Sequence, residues 1–221
     1  MKKIFISTII LASVSLFVSC ENEGEERPDD STITTDVTPP TIQLPTDSAT
    51  VVIDLGDKDA AMAGVTAKDT KDGNLTSSIT LNGDLDAIGA TKLEYVVFDA
   101  AGNKASVKRD VIIGSKKLAK KYKVMVGSGY TMTVTEKNTV NLLFSGFDFV
   151  ENATCVPDGK GKLRIQEFQG GDVASSDIFI YNGNAQYDRV GDTYNITHLT
   201  YYRKDLATNK IDTISEACNP L

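Results

Sequence analysis

The sequence predicts an all-β protein: a β-sandwich followed by a second β-sandwich or barrel-like domain, behind an export leader. Three observations carry this. Short runs alternate apolar with polar residues, the period of a half-buried strand. Threonine, valine and tyrosine fill those runs, and few stretches favour helix. Glycines, 17 in all, punctuate the runs as turns. A hydrophobic content of 41% is enough for real cores, and about 200 residues after the leader suit one large or two small domains.

Residues 1–19 come first. Lys2 and Lys3 precede an apolar run from Ile4 to Val18, and Ser19 is the small residue before Cys20. A basic segment, an apolar segment and a small residue describe a cleavable secretory signal. The run is short for a spanning helix, which needs about 20 apolar residues. Leu16-Phe17-Val18-Ser19-Cys20 resembles a lipobox, with Phe17 in place of the usual Leu. The resemblance implies cleavage before Cys20 and acylation of its thiol. The chain is then anchored to a membrane by lipid rather than spanning it.

Residues 20–36 read as an acidic, disordered tether. From Cys20 to Asp36 there are seven acidic residues and one basic residue, and almost no apolar surface to offset the entropy of ordering. Most of the chain's net charge of −7 lies here. An acidic patch directly after a lipidated cysteine resembles the surface-export signal of Bacteroides-group lipoproteins. That resemblance implies the outer membrane, facing the medium; the other reading is a plain solvated spacer.

The first domain is expected over residues 37–114. Pro39-Pro40 stiffens its start. Val51–Leu55, Gly64–Ala67, Leu75–Leu81, Lys92–Phe98 and Ala105–Ile113 read as strands, with Leu93, Tyr95 and Val97 on one face. Asp72-Gly73 and Ala100–Asn103 read as turns. Short strands with turn signals between them mean a sandwich. Three stretches then resemble the bacterial immunoglobulin-like domains of surface proteins: Thr38-Pro39-Pro40-Thr41-Ile42, Gly64 to Asp69 leading into Asp72-Gly73-Asn74-Leu75-Thr76, and Tyr95-x-Val97-x-Asp99-x-x-Gly102-Asn103. The family implies an immunoglobulin-like β-sandwich in a spacer or adhesion context and implies no activity. Asp69, Asp72, Asp99 and Asn103 are oxygen donors near turns and are weak calcium candidates, since the same side chains also cap turns. No metal is assigned.

The second domain, residues 115–221, also reads as β. Tyr122–Val126, Tyr130–Thr135, Thr139–Phe144, Lys162–Gln166 and Asp177–Tyr181 alternate, with Tyr130, Met132 and Val134 expected inward. Asn182-Gly183-Asn184, Gly159-Lys160-Gly161 and Gly170-Gly171 read as hairpin turns. Tyr194 and Ile196 share one parity, Leu199 and Tyr201 the other, which predicts a bulge near Thr197-His198. Lys116-Lys117 and Lys120-Lys121 read as a solvated hinge at the domain junction. Cys155 and Cys218 are two further cysteines; a disulfide between them is one reading, two buried thiols the other.

Function is constrained mostly by exclusion. A pI near 4.8 and the lack of a basic stripe argue against nucleic acid. One histidine, His198, leaves no multi-histidine zinc site. No Gly-x-Ser-x-Gly elbow is present. No catalytic residue, enzyme activity or cofactor is therefore expected. Lipoproteins of this layout in the Bacteroides group often sit beside outer-membrane glycan importers. The resemblance therefore implies a binding module for glycans, with Tyr181, Tyr187, Tyr194, Tyr201 and Tyr202 as stacking aromatics. The alternative is a structural spacer or adhesin with no small ligand. Asp30-Ser31-Thr32, Asp47-Ser48-Ala49 and Asp212-Thr213-Ile214 resemble O-glycosylation sites of the same group.

Overall fold

Strand-period alternation dominates the computed structural model, which describes residues 35–45, 50–125, 129–146, 149–171 and 178–221. The leader, Cys20 and the motifs at 30–32 and 47–49 lie outside the described residues. Residues 36–221 make one compact unit.

The first 80 or so residues of that unit form two facing sheets. One is antiparallel and joins β1 (Thr41–Gln43), β3 (Thr66–Asp69) and β4 (Gly73–Asn74). The other joins β2 (Val51–Asp54), β7 (Lys104–Gly114), β6 (Gly89–Phe98) and β5 (Thr80–Asn82) in that spatial order, with β2 parallel to β7. Leu93, Tyr95 and Val97 of β6 point into the core as their alternation predicts. This is an immunoglobulin-like sandwich.

Two elements depart from the expected pattern. A short helix, α1 (Lys58–Met62), follows β2. Asp57 caps it, its Oδ1 accepting the Ala60 N–H at 2.9 Å, and Ala61 is buried beneath it. The stretch expected as a strand from Leu75 to Leu81 is instead a 3₁₀ turn at Thr76–Ser78 followed by β5. Asn74 Oδ1 accepts the Thr76 N–H, and Thr76 Oγ1 accepts the Ala67 N–H. Side-chain bonds to the backbone compete there with the ladder.

The remaining strands close a barrel. They are β8 (Lys121–Val124), β9 (Tyr130–Glu136), β10 (Leu142–Gly146), β11 (Phe149–Pro157), β12 (Lys162–Gly171), β13 (Ile178–Val190), β14 (Thr193–Asp205) and β15 (Ile211–Pro220). Each pairs antiparallel with the next, and β15 returns to β8 through Cys218 opposite Val124. Up-and-down closure leaves no free edge. Tyr122, Met132, Val134, Leu142, Phe144, Leu163, Ile165, Leu199 and Tyr201 fill the interior.

Turn chemistry accounts for most differences from the sequence reading. Strand β10 starts at Leu142 rather than Thr139, because Asn138 Oδ1 accepts the Val140 and Asn141 N–H groups and bends the chain. Tyr130 lies on the inward side of β9 with Met132 and Val134 but is half exposed at the strand's start. Gly159 and Gly161, both at positive φ, do turn β11 into β12. Gly170-Gly171 instead belongs to β12, paired with Phe179 and Ile178.

Asn182-Gly183-Asn184 is not a turn. It lies in the middle of β13, opposite Arg164 and Ile165 on one side and Thr200 to Tyr202 on the other. A Cβ at Gly183 would overlap the Thr200 carbonyl oxygen and the Tyr201 backbone. The glycine is required by close strand approach, not by a turn. The real β13–β14 turn is Gly191-Asp192, with positive φ at Gly191 and not at Asp192, as in a type II′ hairpin. The predicted bulge is present. Gln186 pairs with His198 and Tyr187 with Ile196, so Thr197 is the extra residue that lets both tyrosine-bearing halves of β14 face inward.

Candidate functional site

The five tyrosines expected to stack on a ligand are sorted by burial. Tyr181, Tyr187, Tyr194 and Tyr201 are buried; Tyr202, of opposite parity, is 40% exposed. Tyr181 stacks on Phe168 at 5.1 Å between ring centroids and meets Tyr201 at 6.4 Å inside the barrel. The four inward tyrosines therefore form no stacking platform. Parity along β13 and β14 puts each on the barrel's inner side, and apolar burial keeps it there.

Tyr187 and Tyr194 do something else. At the end of the barrel that meets the sandwich they bond to the loop between β5 and β6. The Tyr187 hydroxyl donates to the Asp86 carbonyl oxygen and accepts the Ile88 N–H, both at 3.2 Å. The Tyr194 hydroxyl donates to the Asp86 carboxylate. Lys160, carried by the Gly159–Gly161 turn, reaches Asp84 at 3.0 Å and Asp86 at 3.4 Å. The Tyr194 hydrogen bond and then Lys160 hold the Asp86 carboxyl below its usual range. Burial first, and Asp86 next, push Tyr194 up to about 12.

Of the four lysines expected as a solvated hinge, Lys116 and Lys121 are exposed, but Lys117 and Lys120 are engaged here too. Lys117 Nζ donates to the Leu55 carbonyl at 2.6 Å and sits 5.8 Å from the centroid of the Tyr194 ring. Lys120 Nζ donates to the Tyr194 carbonyl and to Asn195 Oδ1. The Ser115 N–H donates to Thr139 O, and Leu118 is fully buried. Tyr122, pushed up to about 12 chiefly by burial, donates to Leu118 O and accepts the Ile196 N–H. The junction is a packed joint, because short connections leave these long side chains within reach of backbone carbonyls.

A polar hollow of about 240 Å³ lies on the barrel's outer wall, lined by Asp158, Lys162, Asn184, Gln186, His198 and Thr200. His198 Nε2 and Ser215 Oγ share a hydrogen bond at 2.8 Å, and Ser215 Oγ bonds Thr200 Oγ1 at 2.9 Å. These are cross-strand polar pairs of β14 and β15. Tyr202 has the same outward parity two residues beyond Thr200. Asp212 and Thr213 of the third modification motif lie on β15. Asp212 pairs with Arg203 and Lys210, while Thr213 is exposed.

Cys155 and Cys218 are both buried free thiols, which corrects the disulfide reading. β11 and β15 stand four places apart in the eight-strand ring, so the two cysteines lie on opposite walls. Facing walls are about 10 Å apart, whereas a disulfide needs Cα atoms within about 7 Å. Burial pushes the Cys155 thiol well up; burial and then Glu216 push Cys218 up to about 11.

The oxygen donors near the sandwich turns also separate. Asp72 Oδ2 accepts the Ala100 N–H at 2.7 Å and so braces a turn. Asn103 donates to both oxygens of Asp99 and, through Nδ2, to the Asp36 carbonyl. One carboxylate oxygen from each of Asp36, Asp69 and Asp99 lies within 4.8 Å of the others. The N–H groups of Asp72 and Lys71 hold the Asp69 carboxyl below its usual range. Asp36 is not one of the oxygen donors near turns that the sequence singles out; its signal is its place just before Thr38-Pro39-Pro40.

Comparison with known proteins bears on the sandwich. Residues 35–113 match the HYR domain. The match covers the two-sheet part and stops at the junction. No curated protein matches the chain. A lipoprotein of Bacteroides thetaiotaomicron, known from its crystal structure, aligns over 81% of this chain and 99% of its own. Its identity is 14% and its TM-score 0.29, a likeness too slight to settle fold or role.

Proposed function

We propose that the chain is an exported, lipid-anchored, non-catalytic display module whose sandwich and barrel act as one stiff body. The observation that supports this most is the joint itself. Tyr187, Tyr194 and Lys117 are spent on fastening the two parts rather than on a ligand. A spacer needs such a joint, because inter-domain motion is the default wherever an interface is small and polar. Acylation at Cys20 would place the body outside the inner membrane, on the outer membrane and facing the medium. The test is the intact mass of the native protein. It should begin at Cys20 and carry acyl chains; a fatty-acid-free chain beginning at Met1 would remove the location and the role.

One observation favours a second reading, a glycan-binding wall. The hollow at His198 gathers donors and acceptors suited to a hydroxyl-rich ligand, with exposed Tyr202 on the same face. A glycan array probed with the full chain decides it. Saturable binding lost in Tyr202→Ala supports the wall, with no role for the buried tyrosines, and no binding leaves the spacer.

A further inference from the structure

The geometry points to a calcium site at the start of the sandwich, held by the carboxylates of Asp36, Asp69 and Asp99. Three carboxylates converge within 4.8 Å, and among the described residues no lysine or arginine forms an ion pair with any of them. Convergence alone is common on acidic surfaces. The independent sign is Asp69. Its side chain is buried in the group, and its Oδ1 is satisfied by the Lys71 and Asp72 N–H groups. Its Oδ2 is shut from solvent and has no hydrogen-bond partner. An anionic oxygen removed from water with nothing to bond demands a cation.

The rest of the arrangement suits that cation. Asp99 is only 8% exposed, and Asn103 orients it by donating to both its oxygens. The same Asn103 amide holds the Asp36 backbone at 3.0 Å, so one residue straps two ligands together. Asn103 is thus a positioning residue, the outer partner that metal-binding carboxylates usually have. All donors are hard oxygens, which excludes soft metals. Three carboxylates leave room for the water and carbonyl ligands that calcium takes to reach six to eight; magnesium prefers to keep its own water shell. Because Asp36 is the first residue of the compact unit, a bound ion would clamp the end of the acidic segment to the β3 and β6 ends of the sandwich.

The experiment is a calcium titration of the full chain after chelation, read by calorimetry and by melting temperature. The expected result is one calcium per chain with affinity in the range of extracellular modules, about 10⁻⁴–10⁻³ M or tighter, and a raised melting temperature. Asp69→Asn should weaken binding at least about tenfold, and Asn103→Ala by about 10- to 100-fold. In chelator, Asp69→Asn keeps an Oδ1 that can accept the Lys71 and Asp72 N–H groups, so it should still fold, and its lost calcium response then reads the missing charge; a merely structural Asp69 would leave the calcium response of the folded variant unchanged. Should Asp69→Asn fail to fold, Asp36→Asn at the unit's edge replaces it. Absence of saturable binding up to about 10 mM would overturn the site. So would binding undiminished in these variants, which would assign the ion to the acidic tether.

Discussion

The Tyr194 hydroxyl donates to Asp86 while its ring fills the space above Gly56, where a Cβ would overlap that hydroxyl. Gly56 sits at φ +66°, so it is needed both for its backbone and for the room it leaves. Removing the hydroxyl in Tyr194→Phe keeps the ring and loses a hydrogen bond to a charged group. Such bonds contribute roughly 1.5–3 kcal/mol, and Asp86 is partly exposed, so a loss of about 1 kcal/mol at pH 7 is expected by urea unfolding. The pH dependence follows from the two shifts. Asp86 is held below its unfolded value of about 3.9, so its contribution is present above that pH and is lost as pH falls through the folded value. Tyr194 is raised to about 12 from about 10, so its contribution is full below pH 10 and lost between 10 and 12. The gap between parent and Tyr194→Phe should therefore be widest from about pH 5 to 9 and close at both ends. A gap that stays constant into acid would show that Asp86 is not the partner. None of this is legible in the sequence. Tyr194 is an inward residue by parity, but whether an inward tyrosine meets a core or a joint depends on a loop more than a hundred positions away.

At the scale of elements, periodicity reads well and glycine reads badly. The parity switch in β14 reveals the bulge at Thr197 because two apolar pairs on one strand cannot share a core without an extra residue. The alternation of β6 likewise gives its buried face outright. The Asn182-Gly183 pair misleads, since the same dipeptide serves a hairpin turn or a tight strand crossing, and only the neighbouring Tyr201 tells them apart. The real turn, Gly191-Asp192, carries an equally good signal at the point where β13 reverses. Substitution separates the two glycines. Gly183→Ala forces a methyl group into backbone atoms of β14, which cannot yield as a side-chain tip can. Overpacking costs about 1–3 kcal/mol where side chains give way, so at least the upper end is expected here. Gly191→Ala meets nothing within 4 Å and incurs only the left-handed backbone term, about 1–2 kcal/mol. Melting temperatures should fall in that order. The reverse order would return Asn182–Asn184 to a turn.

Across the whole molecule, the sandwich and the barrel are legible as separate folds, yet they share one hydrophobic core. Ile88 and Leu55 from one side belong to the same buried cluster as Leu118, Tyr187 and Tyr194 from the other. Sequence shows the change of fold at Gly114, where a short basic segment looks like a hinge; it does not show where Lys117 and Lys120 end. Shared burial has a thermodynamic consequence. If unfolding either part exposes apolar surface of the other, neither melts alone, and residues 36–221 should unfold in one transition. The urea slope should then sit at or above the top of the range of about 1–3 kcal/mol per molar found for small proteins, since it scales with the total surface exposed. Fluorescence of the tyrosines, most of them in the barrel, and far-ultraviolet circular dichroism, which sees both parts, should trace the same curve. The joint is what couples them, so weakening it should uncouple them. In Tyr187→Phe combined with Tyr194→Phe and Lys117→Ala, the four bonds to the loop of Asp86 and Ile88 and to Leu55 are gone while both interiors stay filled. That variant is expected to show two transitions, with tyrosine fluorescence and dichroism no longer coincident. Two transitions already present in the parent would mean that the joint is not stiff, and the spacer role would lose the property on which it depends.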